Sequence, residues 1–337
     1  MQIGIVGLGF MGRMHLANWN RCQGAQVVAI CEKNAAVLND LDKPVGNIEG
    51  AQQAIDLSTV HLYSDLDQML QSERLDAVSI ALPTYLHADC SIKALDAGVH
   101  VLCEKPMAPT LEQCDAMIAA AQRNGRQLMI GHCIRFWPEY VKAKELIDSG
   151  QYGQVLSASF QRLTAAPTWS SDNWLMDGRL SGGMPLDLHI HDTDFIHYLF
   201  GIPAAVCSAA TVRDEAVVHI HTHYDYGDKR AITAEASWLP TPSFGFEMSF
   251  NIMLERATLV FDCTREPMFR LCPAEGAPFS PPVDDGDGYA HEIAYFADLI
   301  QGKAAREVLT PLQSRESVRI VAAEQCSALE GRNVQIK

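Results

Sequence analysis

A four-residue apolar run at 3–6 leads directly into Gly7-Leu8-Gly9-Phe10-Met11-Gly12, and an amphipathic stretch follows. Few short patterns restrict a backbone so closely. A tight turn out of a strand needs a residue that tolerates positive φ, phosphates approach backbone only where no side chain intervenes, and a helix lies close to a strand only where Cβ is missing. Gly7, Gly9 and Gly12 meet these three needs in that order. The helix opening after them presents N–H groups and the positive end of its dipole to an anion. The pattern predicts a dinucleotide-binding turn, with Phe10 and Met11 completing the loop.

A second apolar run at 27–31 ends at Glu32, twenty positions beyond Gly12. A carboxylate there accepts hydrogen bonds from an adenosine ribose and repels a 2′-phosphate, which favours NAD over NADP. Lys33, the next residue, would attract that phosphate instead, and an ordinary surface pair is the plain alternative for both.

Strand-like runs at 3–6, 27–31, 77–81, 99–103 and 127–130 alternate with helical periodicity, which predicts a parallel sheet wrapped by helices. From about 154 the rhythm changes. Runs at 154–163, 204–213, 217–226, 230–239, 244–253 and 257–262 are separated mainly by short turn signals, as expected of an antiparallel sheet. Helical segments are expected at 185–199 and 312–330, and a surface loop at 273–288. The expected architecture is an α/β Rossmann domain with a doubly wound parallel sheet over 1–131. An α+β domain with a large, mostly antiparallel open sheet follows over 132–337.

The 337 residues suffice for two domains, and 48% hydrophobic content fills two cores. A net charge of -15 argues against a nucleic-acid partner, since phosphate-backbone binding requires clustered Lys and Arg. Ten cysteines without C-x-x-C spacing, several inside apolar runs, read as reduced thiols of a cytoplasmic protein. The apolar start is too short for a signal peptide and no run reaches membrane-spanning length, so a soluble protein is expected.

Ligands of open parallel sheets bind beyond the carboxyl ends of the strands. Cys103-Glu104-Lys105-Pro106 closes one such strand, which directs Lys105 toward a cofactor crevice and brings Glu104 beside it. Asp187 and His191 stand four apart in the 185–199 segment, so a helix places them on one face, with Asp194 a turn further on. A carboxylate beside an imidazole raises its basicity and orients it. His189 falls off that face and is expected to pack or cap. Trp169, Asn173 and Trp174 precede the Gly182-Gly183 turn and are candidate sugar contacts, because aromatic faces stack on C–H groups; packing is the alternative for a Trp.

The motifs GIVGLGFMG, CEKP and GGMPLDLHIHDTD, in this order, resemble the glucose-fructose oxidoreductase, inositol dehydrogenase and rhizopine-catabolism (Gfo/Idh/MocA) family of NAD(P)-dependent oxidoreductases. The likeness spans essentially the whole chain. It implies a Rossmann domain followed by an α+β domain with an open sheet. It implies that Lys105 is the catalytic lysine, Asp187 a substrate-binding carboxylate and His191 the acid–base imidazole, with a cis bond before Pro106. Leu82-Pro83-Thr84-Tyr85-Leu86-His87 resembles the family's cofactor loop after the fourth strand, where Thr-Pro-Asn is common. Pro83 and His87 match; Leu82 and Thr84 depart. His87 is either a cofactor-loop residue or a helix start. Arg135 lies where the family enters its second domain and either binds a hydroxylated substrate or serves structure.

His219, His221 and His223 alternate along a strand, so three imidazoles share one face. That face either holds a metal or, as the resemblance implies, joins subunits of a homodimer or homotetramer. No metal is expected. The readings carried forward are a dehydrogenase or reductase acting on a secondary alcohol or ketone carbon of a sugar or inositol-like polyol, an NAD-dependent glycosidase, and a non-catalytic NAD- and sugar-sensing protein.

Overall fold

A computed structural model of the chain describes residues 1–39, 57–167 and 171–336. Two compact units divide it: Met1–Cys133 with Gly288–Arg315, and Ile134–Asp287 with Glu316–Lys337.

The first unit alternates strand and helix: β1 (Gln2–Val6), α1 (Phe10–Arg21), β2 (Gln26–Cys31), α2 (Ala35–Asn39), β3 (His61–Tyr63), α3 (Leu66–Ser72), β4 (Ala77–Ile80), α4 (His87–Asp96), β5 (His100–Glu104), α5 (Leu111–Asn124) and β6 (Leu128–Gly131). The order β3-β2-β1-β4-β5-β6 and the parallel registers make a doubly wound sheet. Its strand order reverses between β1 and β4, the switch point at which such sheets bind dinucleotides. β1, β4 and β6 are buried almost throughout, because helices cover both faces and leave no polar side to alternate with. Local signals set the helix ends. Asp65 accepts the Gln68 N–H to start α3, Thr110 accepts the Gln113 N–H to start α5, and Gly125 ends α5 in the left-handed region.

The second unit contains α6 (Pro138–Asp148), β7 (Val155–Thr164), α7 (Gly178–Ser181), α8 (Ile190–Phe200), β8 (Ala205–Arg213), β9 (Ala216–Asp225), β10 (Ala231–Ser237), β11 (Phe246–Leu254), β12 (Ala257–Asp262) and β13 (Phe269–Pro273). With β14 (Val334–Gln335) the strands pair as β13-β12-β11-β7-β10-β9-β8-β14. Every pairing is antiparallel except β7 with β10. On the buried side, the Tyr140 ring meets Phe195, Phe250 and Phe261 edge-on at centroid distances of 4.8, 5.0 and 5.1 Å, tying α6 and α8 to β11 and β12.

The chain then continues through α9 (Gly288–Ile300) and α10 (Pro311–Glu330). Residues 288–315 belong with the first unit, whereas the sequence reading places all of 132–337 in the second domain. The reason lies in α9, an element that reading does not anticipate. It buries Ile293, Phe296 and Ala297, and Phe296 packs edge-on against Trp19 of α1 at 6.4 Å. Three short strands are likewise unanticipated: β3, β13 and β14 span three, five and two residues, too few for a period-2 pattern to stand out. Among the described residues no helix is long and apolar enough to cross a membrane.

Candidate active site

The glycine loop lies at the switch point of the first sheet. Gly7 has φ +89°, and a Cβ there would sit 2.5 Å from the Ala81 carbonyl oxygen of the strand crossing beside it. Gly12 is tighter still, since its Cβ would stand 2.0 Å from the Gly7 carbonyl oxygen. A Cβ on Gly9 would meet no atom within 4 Å, so the backbone between the two packed glycines can be approached from outside. Gly9 caps α1 without a side-chain bond to the helix N–H groups. These features fit a pyrophosphate on the helix N-terminus. Phe10 is buried beneath the loop and Met11 is partly exposed beside it.

Gly12→Ala forces the turn open and is expected to cost about 1–3 kcal/mol, or roughly tenfold to a hundredfold in the NAD dissociation constant. Gly9→Ala should leave thermal stability unchanged yet weaken NAD binding. Titration by nicotinamide fluorescence checks both, and wild-type NAD affinity in both variants would rule out this loop as the cradle.

Glu32 lies at the end of β2. One carboxylate oxygen accepts the Leu8 N–H and the other the Asn34 N–H, both at 2.8 Å, so the side chain ties the glycine loop to the end of β2. A carboxylate accepts about four hydrogen bonds, which leaves capacity for ribose hydroxyls. Lys33 is exposed beside it.

After β4, Leu82 and Pro83 are half-buried and Thr84 is buried at the start of a 3₁₀ turn. His87 begins α4 and is buried, with Nδ1 2.8 Å from the Pro106 carbonyl oxygen and Nε2 2.8 Å from the Leu82 carbonyl oxygen. Burial pulls its imidazole below the ordinary value, against the two carbonyls that favour the charged form. Both ring nitrogens face carbonyl oxygens of the same unit, and a neutral ring donates to one of them. His87 joins the loop after β4 to the segment after β5.

That segment carries Lys105, and the Lys105–Pro106 bond is cis. From 101 to 108 every residue is buried except Lys105, which keeps partial exposure. Glu104 turns inward and is buried. Its Oε1 lies 2.9 Å from His15 Nε2, and its Oε2 accepts the Lys105 N–H at 3.1 Å. Burial acts to raise the Glu104 carboxyl, but the His15 hydrogen bond and the charges of His15, Lys105 and His87 outweigh it and hold the carboxyl below its ordinary value.

In the second unit, 183–197 is buried throughout except at Asp187 and His191. Asp187 lies in a π-helical turn, Pro185–His189, whose closing bond runs from the Ile190 N–H to the Pro185 carbonyl. Such turns concentrate at functional sites. The other polar residues of the stretch are held from behind. His189 Nε2 is 3.2 Å from Glu324, Thr193 Oγ1 lies 3.1 Å from the Tyr224 hydroxyl, Asp192 takes both ends of Arg162 at 2.9 Å, and Asp194 takes both ends of Arg135 at 2.8 Å. Four anchored polar residues thus fix the stretch that carries the two partly exposed ones.

Arg135 is therefore not positioned as a substrate contact. Its guanidinium is enclosed in a two-point ion pair with Asp194 and lies over the Tyr198 ring at 4.5 Å, a structural role. Asp194 is likewise removed from the Asp187–His191 pair by this partner. Asn173 is exposed with φ 54° and Trp174 is half-buried, while Trp169 lies outside the described residues. On β9 the imidazoles alternate with buried Ile220, Thr222 and Tyr224 as the period-2 pattern requires. His219 faces Glu235 at 3.9 Å. Among the described residues, the one group of three side chains with donor atoms close enough to share a cation is His15, Glu104 and Glu292, not the β9 histidines. Sequence reasoning missed His15, Glu292, Glu324 and Arg162, whose partners are distant in the chain. The only local hint was His15 at three positions past Gly12, a spacing that returns it to the sheet side of α1.

A Rossmann unit with an intact phosphate turn and a strand-end lysine, together with an open-sheet unit presenting a carboxylate and an imidazole, defines a two-domain nicotinamide-nucleotide oxidoreductase class. The chain belongs to the GFO/IDH/MocA family: residues 1–132 match its "Oxidoreductase family, NAD-binding Rossmann fold" and residues 140–260 its C-terminal domain. Inositol 2-dehydrogenase 2 of Saccharopolyspora erythraea is 31% identical over 70% of this chain and 63% of its own length. The 2,7-anhydro-N-acetylneuraminate hydratase of Mediterraneibacter gnavus is 33% identical over 58% of this chain and 48% of its own. The matches thus span about half to two-thirds of these relatives. A levoglucosan dehydrogenase solved with NADH and levoglucosan has the same fold, with TM-score 0.84 at 21% identity over 100% of this chain and 99% of its own.

Proposed function

We propose that the protein transfers a hydride between NAD and a secondary alcohol or ketone carbon of a sugar or inositol-like polyol. One observation carries this reading: Lys105, Asp187 and His191 are the residues left partly exposed in stretches otherwise buried on both sides. NAD, when bound, would supply the acceptor for the carbinol hydrogen as hydride. His191 takes the hydroxyl proton, Asp187 orients the imidazole and holds the substrate, and Lys105 donates a charged hydrogen bond to the oxygen as negative charge develops there. Asn173 and Trp174 contribute substrate contacts. Glu32 favours NAD over NADP through charge repulsion of a 2′-phosphate. The names of the relatives, inositol 2-dehydrogenase and levoglucosan dehydrogenase, support a neutral polyol.

A panel of cyclitols, levoglucosan and hexoses with NAD and NADP, followed by absorbance of the reduced nicotinamide, tests the reading. Turnover with at least one polyol and a preference for NAD are expected. NAD binding without turnover on any member would sink the dehydrogenase reading and favour a sensor. A second reading draws on the hydratase relative: transient oxidation, elimination of a ring substituent, addition of water to the resulting double bond and return of the hydride, with no net NADH. Release of nitrophenol from a nitrophenyl glycoside without NADH accumulation would select it.

Asp187→Asn keeps the shape but removes the charge. It is expected to lower kcat/KM by about 10²-fold, and wild-type kinetics would remove Asp187 from the site. The ten free thiols support a reducing, cytoplasmic setting. Exposed Leu156 and Met253 on the adjacent strands β7 and β11 support a homodimer or homotetramer through the second sheet, which light scattering would test.

A further inference from the structure

His15 and Glu292 are fully buried and Glu104 is 5% exposed, yet no step proposed above uses their side chains. A buried charge costs several kcal/mol unless paired, and even a good buried pair adds little net stability compared with apolar residues of similar shape. Stability is therefore a poor account of why three such groups meet. Their donor atoms lie within 4.8 Å of one another, immediately behind the segment that carries Lys105.

The geometry points to a mechanical role. Glu104 is fixed at both oxygens, by His15 Nε2 at one and by the Lys105 backbone N–H at the other. Pro106 has no N–H of its own, but its carbonyl is taken by His87. A side chain on the facing residue Gly131 would approach the Glu104 carboxylate to 3.3–3.4 Å, so the glycine there leaves the carboxylate the space it occupies. The peptide that bears Lys105 is thus gripped on one side by Glu104 and on the other by His87. Glu104 in turn is located by His15, which rides on α1 just past the glycine loop. The groups facing the cluster are Lys105, His87, Cys133 and Tyr289, and the Tyr289 phenol is driven well above its ordinary value by burial and then by Cys133, Glu104 and Glu292.

We propose that His15 and Glu104 are positioning residues for Lys105, with Glu292 completing the buried cluster, so that the glycine-loop helix and the catalytic lysine are set by one hydrogen-bonded unit. The inference rests on Lys105 being the group that meets the substrate oxygen.

Two measurements test it. The first needs no substrate: amide hydrogen exchange of the peptide containing Lys105, in wild type and in His15→Ala, His15→Gln, Glu104→Ala and Glu104→Gln. Gln at position 15 can return an N–H near the place of Nε2. Exchange should quicken in His15→Ala and Glu104→Ala, and return toward wild type in His15→Gln and Glu104→Gln. Unchanged exchange in both alanine variants overturns the proposal. The second is a cycle with Lys105→Ala, using NAD and the best polyol of the panel. Glu104→Ala alone should lower kcat by about 10- to 100-fold, with NAD affinity retained, and should lower nothing further once Lys105 is Ala. Full additivity would show that Glu104 acts elsewhere and overturns the proposal. If Lys105→Ala itself keeps wild-type activity, the role given to Lys105 is what fails, and the exchange data still decide whether the cluster grips that segment.

Discussion

Lys105→Ala is expected to lower kcat on the order of 10²- to 10³-fold, the usual loss when one charged or dipolar donor to a developing oxyanion is removed. The loss should fall on turnover, because the phosphate turn and Glu32, which bear most of the NAD contacts proposed here, are untouched by the change. NAD affinity by titration should therefore stay within about threefold of wild type, while kcat and kcat/KM drop together as they do for an interaction made in the transition state. Lys105→Arg keeps the charge but exchanges a compact ammonium for a planar fork, and should recover only part of the rate. Equal turnover in wild type and Lys105→Ala would remove the central residue of the proposed chemistry.

The second large effect concerns stability. Asp194→Ala leaves the Arg135 guanidinium buried without its carboxylate and strips Ser317 Oγ of the acceptor it holds at 2.8 Å. Breaking a buried pair from one side costs about 3–5 kcal/mol, whereas replacing both partners by apolar residues of similar volume is often neutral. Chemical denaturation should show the second unit unfolding at markedly lower urea in Asp194→Ala, and an Arg135→Met/Asp194→Leu double variant should recover much of the loss. If Asp194→Ala unfolds at the wild-type urea concentration, the pair is not what holds α8 in place. If it keeps its stability but loses substrate affinity, the expectation that Arg135 meets substrate would return.

Parts of the candidate site are legible in the sequence because some of its demands are local. Gly7 and Gly12 are read from spacing, since the positive φ of Gly7 is local and Gly12 lies against the Gly7 carbonyl just before it, and Asp187 with His191 are read from their separation of four. His87 and Arg135 were read less well. Each was identified as a motif member, but whether such a side chain faces a ligand or the interior depends on carbonyls and carboxylates brought to it from elsewhere. His87 is claimed by Leu82 and Pro106, and Arg135 by Asp194, fifty-nine residues away. The π-turn that carries Asp187 was equally invisible, because a single inserted turn leaves the apolar periodicity almost unchanged.

By itself the sequence determined the two sheet types and all of their described strands but β3, β13 and β14, since side-chain period and turn chemistry are properties of short segments. It also determined the phosphate turn, because missing Cβ atoms are written directly as glycine. The tertiary structure alone decided that residues 288–315 return to the first unit, that His15 and Glu292 gather around Glu104, and which polar residues of 185–199 are buried anchors. Those outcomes depend on pairing across tens to hundreds of residues, where burial makes an unpaired charge costly and so selects one arrangement that no local pattern encodes.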